Sequence, residues 1–184
     1  MPYGRRGGEF VVNKKLVGTQ YSPAIAGFAS GGFIAVWESS DPLQDGAGYS
    51  IKAQRYDSLG NVVGTEILVN SSAAGDQTSP SVTTLSSGGF VVTWETTAAT
   101  QDGSGSAIEG QLYDAAGSPV GSEFRVNSQL AANQTTASVA GLDGGGFVVT
   151  WRTADSAQDG LGGAIKGQMY NASGVAVGGE FLVN

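Results

Sequence analysis

Gly-Gly-Phe-Val-Val-Thr-Trp occupies residues 88–94, and the identical heptapeptide returns at residues 145–151, 57 positions later. One step back along the chain stands Gly-Gly-Phe-Ile-Ala-Val-Trp, at residues 31–37. The heptapeptide is itself a strand signal. Its paired glycines permit the positive φ of a tight hairpin, and the residues after them alternate. Phe90, Val92 and Trp94 share one face, while Val91 and Thr93 take the other. Gln-Asp-Gly keeps the same step at residues 44–46, 101–103 and 158–160, and each unit closes on Val-Asn, at Asn70, Asn127 and Asn184. A fixed period of this size marks architectures that copy one supersecondary unit. It decides the fold class. Function is left open, because a repeated scaffold carries many chemistries or none.

The second unit, residues 71–127, reads as four strands. They are expected at residues 79–85, 90–94, 107–113 and 123–126, with turns at 86–89 and 114–117 and Gly121 at the entry to the last. No stretch has a helical period of useful length, so the architecture is all-β. Four antiparallel strands joined by hairpins and repeated at this spacing form a blade-like unit of the β-propeller kind. The chain then divides into a segment at 1–13 and repeats at 14–70, 71–127 and 128–184, all within one domain. Gly-Glu-Phe-Val-Val-Asn at residues 8–13 matches the fourth strand of a preceding unit, which makes an orphan strand and thirteen strands in total. Three blades do not close a propeller of the usual four to eight. Two chains could complete a six-bladed ring, the repeats could belong to a longer array, or they could form a three-fold β-prism or trefoil-like body.

Composition narrows the functional classes. The 184 residues carry a net charge of −7, the wrong sign for a nucleic-acid partner. Four of the nine basic residues (Arg5, Arg6, Lys14 and Lys15) crowd the N-terminus, which leaves the repeats more acidic still. Without cysteine or histidine, the chain has no disulfide, no thiol nucleophile and no imidazole base or ligand. No apolar run approaches the roughly 20 residues that span a bilayer, so no membrane insertion is expected. The N-terminus has no signal-peptide core, and an export address would lie outside this chain.

Read together, Gly-Gly-Phe-Val-Val-Thr-Trp, Gln-Asp-Gly-x-Gly-x-x-Ile-x-Gly-Gln-x-Tyr and Val-Gly-x-Glu-Phe-x-Val-Asn resemble the repeat arrays of large bacterial secreted and cell-surface proteins. These are grouped with hemolysin-type, RTX-like calcium-binding proteins. The resemblance spans residues 7–184. It implies a β-propeller-like array, an extracellular setting and calcium association. The glycine- and aspartate-rich nonapeptides of RTX β-rolls are absent, so calcium binding does not follow from the resemblance.

Several repeated residues invite a sharper reading beside a plain one. Asp45, Asp102 and Asp159 sit between Gln44, Gln101 and Gln158 and a glycine, in the polar loop after the Trp strand. Loop carboxylates with amide and carbonyl oxygens suit calcium, which makes these aspartates the candidate metal ligands and calcium the candidate cofactor. The plain reading is that Asp-Gly shapes a turn. Asp41 and Asp155 precede two of the three loops, but Ala98 stands at that place in the second. Tyr49 occurs in one loop alone and is a candidate ligand contact. Trp37, Trp94 and Trp151 could stack sugars but share a face with Phe and aliphatic residues, which assigns them to the core. Gln20, Gln77 and Gln134, with Gln54, Gln111 and Gln168, should satisfy backbone groups between sheets. Glu9, Glu66, Glu123 and Glu180 recur like a solvent-facing structural position, unlike the unique carboxylate pair of a glycosidase.

These readings lead to a non-catalytic structural or adhesive module, self-associating through sheet edges at residues 9–12 and 180–183. The alternative is a lectin-like or calcium-binding module that takes glycans at the three loops.

Overall fold

The computed structural model describes residues 8–14, 17–41, 48–98, 105–155 and 162–184. Twelve strands fill these segments, four to a repeat. The first repeat holds β1 (Gln20–Gly27), β2 (Phe33–Ser39), β3 (Ser50–Tyr56) and β4 (Val62–Leu68). The second holds β5 (Gln77–Thr84), β6 (Phe90–Thr96), β7 (Ala107–Tyr113) and β8 (Pro119–Arg125). The third holds β9 (Gln134–Gly141), β10 (Phe147–Thr153), β11 (Ala164–Tyr170) and β12 (Ala176–Leu182). Each set forms one four-stranded antiparallel meander, in chain order.

The sheets stack face on face in succession. β5 lies against β1, β2 and β3, and β9 lies against β5, β6 and β7. Two layers of core result. Between the first and second sheets, Ile34, Val36, Ile51 and Ala53 meet Val82, Phe90, Val92 and Trp94. Between the second and third, Val91, Ile108, Leu112 and Val126 meet Val139, Phe147, Val149 and Trp151. The strict alternation of β6 explains how it serves both. Phe90, Val92 and Trp94 face one neighbour, Val91 faces the other, and all four are buried.

The turn glycines carry two different demands. The first of each pair takes positive φ, +91° at Gly31, +84° at Gly88 and +88° at Gly145. The second is required by close approach: a Cβ at Gly89 or Gly146 would stand 2.3 or 2.2 Å from the carbonyl oxygen of Tyr113 or Tyr170.

The fourth strand starts earlier than the sequence pattern suggests. β8 runs from Pro119, and Gly121, expected at its entry, lies inside it at φ +70°. The ladder shifts register there, between the Gly110 and Leu112 pairings. Such a bulge escapes period-two reading, since it inserts a residue without changing composition. Gln111 stabilises it, with Nε2 donating to the carbonyls of Leu112 at 2.8 Å and Val120 at 3.3 Å. Gln54 and Gln168 do the same in the flanking repeats, as expected of amides that satisfy backbone groups.

Residues 8–13 join none of the three sheets. A fourth strand pairs with the third strand of its own repeat, and a single strand has no ladder of its own. The segment nevertheless keeps the side-chain contacts of a fourth strand. Phe10 packs on Tyr56 at 5.6 Å between ring centroids, and Tyr56 Oη donates to the Val12 carbonyl at 2.5 Å. In the later repeats Tyr113 and Tyr170 donate to Val69 and Val126, each at 3.4 Å and each across the same 44 residues.

Because the repeats share one structure, burial sets the value of a side chain more than identity does. Ile108 is fully buried between sheets, whereas the equivalent Ile165 is 37% exposed on the last sheet. Ile108→Ala is expected to destabilise by about 2–5 kcal/mol and Ile165→Ala by less than about 1 kcal/mol, measured by urea unfolding of the same chain.

Candidate functional site

Gln44, Asp45, Gln101, Asp102, Gln158 and Asp159 lie outside the described residues, so the three Gln-Asp-Gly loops are seen only at their stems. Among the described residues, no group of three or more acidic, His or Cys side chains could hold a metal ion. The stems are tied across repeats. Tyr49 donates its backbone N–H to Asp76 Oδ1 at 3.1 Å, and Ser106 donates to Asn133 Oδ1 at 3.2 Å. The first two loops therefore end on a side chain of the next repeat. Sequence reading missed Asp76 and Asn133 because the partners stand 27 residues apart. The Tyr49 ring meets Tyr21 edge-on, with centroids 5.8 Å apart. The neighbouring Tyr21, with some desolvation and the charges of Asp76 and Glu38, pushes the Tyr49 phenol above its ordinary range.

The aromatic residues expected in the core are there. Trp37, Trp94 and Trp151 are buried. Trp94 Nε1 donates to Gln77 Oε1 at 2.9 Å and Trp151 Nε1 to Gln134 Oε1 at 3.1 Å. Phe33, Phe90 and Phe147 stack on Tyr56, Tyr113 and Tyr170 at 4.7–4.8 Å between centroids. Burial pushes the phenols of Tyr113 and Tyr170 far up, with Glu123 and Glu180 adding to the effect.

Two equivalent grooves open between the outer strands of successive sheets. One, of about 440 Å³, is lined by Ile67, Asn70, Gln111, Tyr113 and Glu123. The other, of about 540 Å³, is lined by Phe124, Asn127, Gln168, Tyr170 and Glu180. The glutamates are half-buried here rather than solvent-facing, because each turns inward to tie its fourth strand to the first residue of its own repeat. Glu123 accepts the backbone N–H of Ser71, and Glu180 accepts that of Ser128. Glu180 also accepts from Lys166 Nζ at 2.6 Å. Burial raises the Glu180 carboxyl, but the bonds from Lys166 and Ser128 outweigh it and hold the group below its ordinary value.

A second carboxylate tie recurs on the inner side. Glu38 accepts from the backbone N–H of Ser79 at 2.7 Å, and Glu95 accepts from that of Thr136 at 2.6 Å. Both donors sit at a bulge with positive φ, 53° and 58°, which non-glycine residues seldom adopt. Ser22 takes the same conformation in the first repeat, at φ 47°.

The two ends of the stack present unfinished copies of the interior. On the first sheet, Ile25 is 72% exposed where Val82 and Val139 are 8% exposed. Beside it lies an apolar cleft of about 160 Å³, lined by Val12, Tyr21, Pro23, Ile25, Ala35 and Trp37. On the third sheet, Ile165, Phe181 and Val183 stand open to solvent, although Val69 and Val126, the equivalents of Val183, are both buried. Asn184 still accepts the Ile165 N–H at 2.7 Å, as Asn70 and Asn127 do for Ile51 and Ile108. The end sheets are thus fully formed and lack only a covering layer.

These features define an all-β chain of three stacked four-stranded sheets. No protein-family model matches it, and no curated protein matches it. Among solved structures, it is similar to an N-acetylgalactosamine deacetylase from F. plautii, crystallised in complex with blood group B trisaccharide. That match has a TM-score of 0.55 and 13% identity, covering 86% of this chain and 52% of the other. An endo-arabinase from Bacteroides thetaiotaomicron matches with a TM-score of 0.49 and 16% identity, over 73% of this chain and 51% of the other. The chain spans about half the length of these structures. The likeness to the deacetylase is one of fold. No helix among the described residues is long and apolar enough to cross a membrane.

The Glu180 ties set a pH dependence. A carboxyl held low in the folded state stabilises fully above its unfolded value of 4.5, and that stability is lost as pH falls through the lower folded value. Glu180→Gln is expected to lower the thermal midpoint clearly at pH 7 and much less at pH 3. An equal loss at both values would show that the carboxylate charge is irrelevant.

Proposed function

We propose that this chain is a non-catalytic structural and adhesive repeat module of a bacterial extracellular protein, and that it works by stacking with like sheets. One observation carries the reading: side chains fully buried between sheets inside the chain recur open to solvent on its last sheet. Ile51 and Ile108 are fully buried and Ile165 is 37% exposed. Single exposed apolar residues are ordinary, but a row that copies an internal interface has a built-in partner type. The support comes from sheet faces rather than the edges that the sequence suggests. The blade-like stacking of successive sheets favours a propeller-like array, and six sheets from two chains fall within the range that closes a ring.

In a stacked array, stability approximates a sum of unit and neighbour terms. A chain lengthened by a second copy of residues 128–184 after Asn184 is therefore expected to melt at a higher temperature than the native chain. An unchanged midpoint would sink this reading, because the added sheet would then have found nothing to bury.

A second reading has one observation in its favour. Tyr21, 46% exposed, and Tyr49 form an aromatic pair beside Asp76 at the foot of the first Gln-Asp-Gly loop. Exposed aromatic faces beside a carboxylate suit sugar binding, and the loop aspartates suit calcium. Glycan-array binding with and without calcium tests it. Signal abolished by Tyr49→Ala supports a lectin-like site, and an array blank in both conditions removes it.

A further inference from the structure

We propose that the layer covering the third sheet is the first sheet of a second copy of this chain, docked head to tail, and that residues 8–13 hold its place in the free chain. The inference rests on the stacking reading above and adds the partner and its competitor. The internal interfaces show what each half requires. One half is a row of Ile, Ile or Phe, and Val, as in Ile108, Phe124 and Val126, which meets the Phe, Tyr and Trp face of the following sheet. Ile165, Phe181 and Val183 repeat that row on the third sheet, all exposed. Phe33, Tyr56 and Trp37 repeat the receiving face on the first sheet, with Ile25 uncovered and the cleft beside it unfilled. One chain therefore carries both complementary halves at opposite ends, which makes a heterologous contact between copies.

The receiving face is partly taken already. Phe10 lies on Tyr56 as Phe124 lies on Tyr170, at 5.6 and 5.3 Å, and Val12 accepts the Tyr56 hydroxyl. Phe10 and Val12 therefore occupy the places that Phe181 and Val183 of the arriving copy would take. The segment is held by side-chain contacts without membership of any sheet, so its release breaks no ladder. A docking copy has to displace it, which lowers the apparent affinity by the fraction of chains with the segment in place.

One residue departs from the repeat at this contact. Glu38 and Glu95 cap the strained bulges of Ser79 and Thr136 in the next sheet. The third repeat has Arg152 at that position, exposed, and the bulge that it would meet in a second copy is Ser22. A guanidinium has donors only and leaves the Ser22 N–H uncapped. Arg152 thus weakens the contact between chains without touching the contacts within one, which restrains self-assembly that the apolar rows favour.

The test is sedimentation velocity over a concentration series with the full chain. Arg152→Glu is expected to associate at least about tenfold more tightly than the native chain, the scale of a regained hydrogen bond to a charged group. Phe10→Ser, which loosens the placeholder, should also shift association to lower concentration. In the Arg152→Glu background, Ile165→Asp blocks one half and Ile25→Asp the other. Each alone should stay monomeric with an unchanged circular dichroism spectrum, while an equimolar mixture should form a one-to-one dimer. That rescue is particular to a head-to-tail contact. Failure of Arg152→Glu to associate, or a mixture that stays monomeric, overturns the proposal. If the four-repeat chain gains stability while no variant associates, only the choice of partner falls. If neither does, the stacking reading falls with it.

Discussion

Everything in this structure depends on burying the Ile and Val face of one sheet against the Phe, Tyr and Trp face of the next. A single four-stranded meander of this composition has two apolar faces and no layer of its own to cover either. Stacking covers them. The middle sheet is the one with both faces covered, and β7 is accordingly buried along its whole length. The outer sheets each have one covered face and one open face, and β1 and β11 show the exposure that follows, beside their covered equivalents β5 and β7. At roughly 25 cal/mol per Å² of apolar surface removed from water, such interfaces dominate the stability of a repeat stack.

Polar groups fix the register of that apolar contact. Each sheet needs bulges to twist against its neighbour, and each bulge leaves donors or acceptors that cannot be left dry. The chain meets this need with recurring fittings, broken at Arg152 in the third repeat. Glutamines bridge the outer bulge, glutamates cap the inner one, and the closing asparagines cap the start of the third strand. The glutamine and asparagine bonds stay within one repeat, whereas the Glu38 and Glu95 ties connect successive repeats. A sheet that slid by one position against its neighbour would lose the glutamate ties. Hydrophobic burial therefore supplies the attraction, and the fittings decide where it settles.

The same economy bears on function. A repeated scaffold distributes equal residues to equal places, so departures from the repeat carry more information than the repeat does. Tyr49, Arg152 and the segment at residues 8–13, which joins none of the three sheets, are such departures. Each lies at a loop stem or at an open face, where the constraint of internal packing is absent. The grooves between outer strands look like binding sites by shape. Their polar groups, however, are occupied within the repeat, as Glu180 is by Lys166 and Ser128.

The sequence by itself determined the all-β class, the three copies, most strand positions and the burial of the tryptophans, because period-two alternation and turn glycines are local signals. It also indicated that the amides serve the backbone. Tertiary structure alone decided that the sheets meet face to face in series, that Glu123 and Glu180 turn inward, and that Asp76 and Asn133 close the loop stems. It likewise placed Phe10 and Val12 on the first sheet without a ladder. These outcomes depend on which residues face each other across 27 to 52 positions of chain, and no local pattern encodes that. The orphan segment marks the boundary between the two kinds of knowledge. Its sequence has the pattern of a fourth strand, and only the fold shows that it joins no ladder among the described residues while keeping that strand's side-chain contacts.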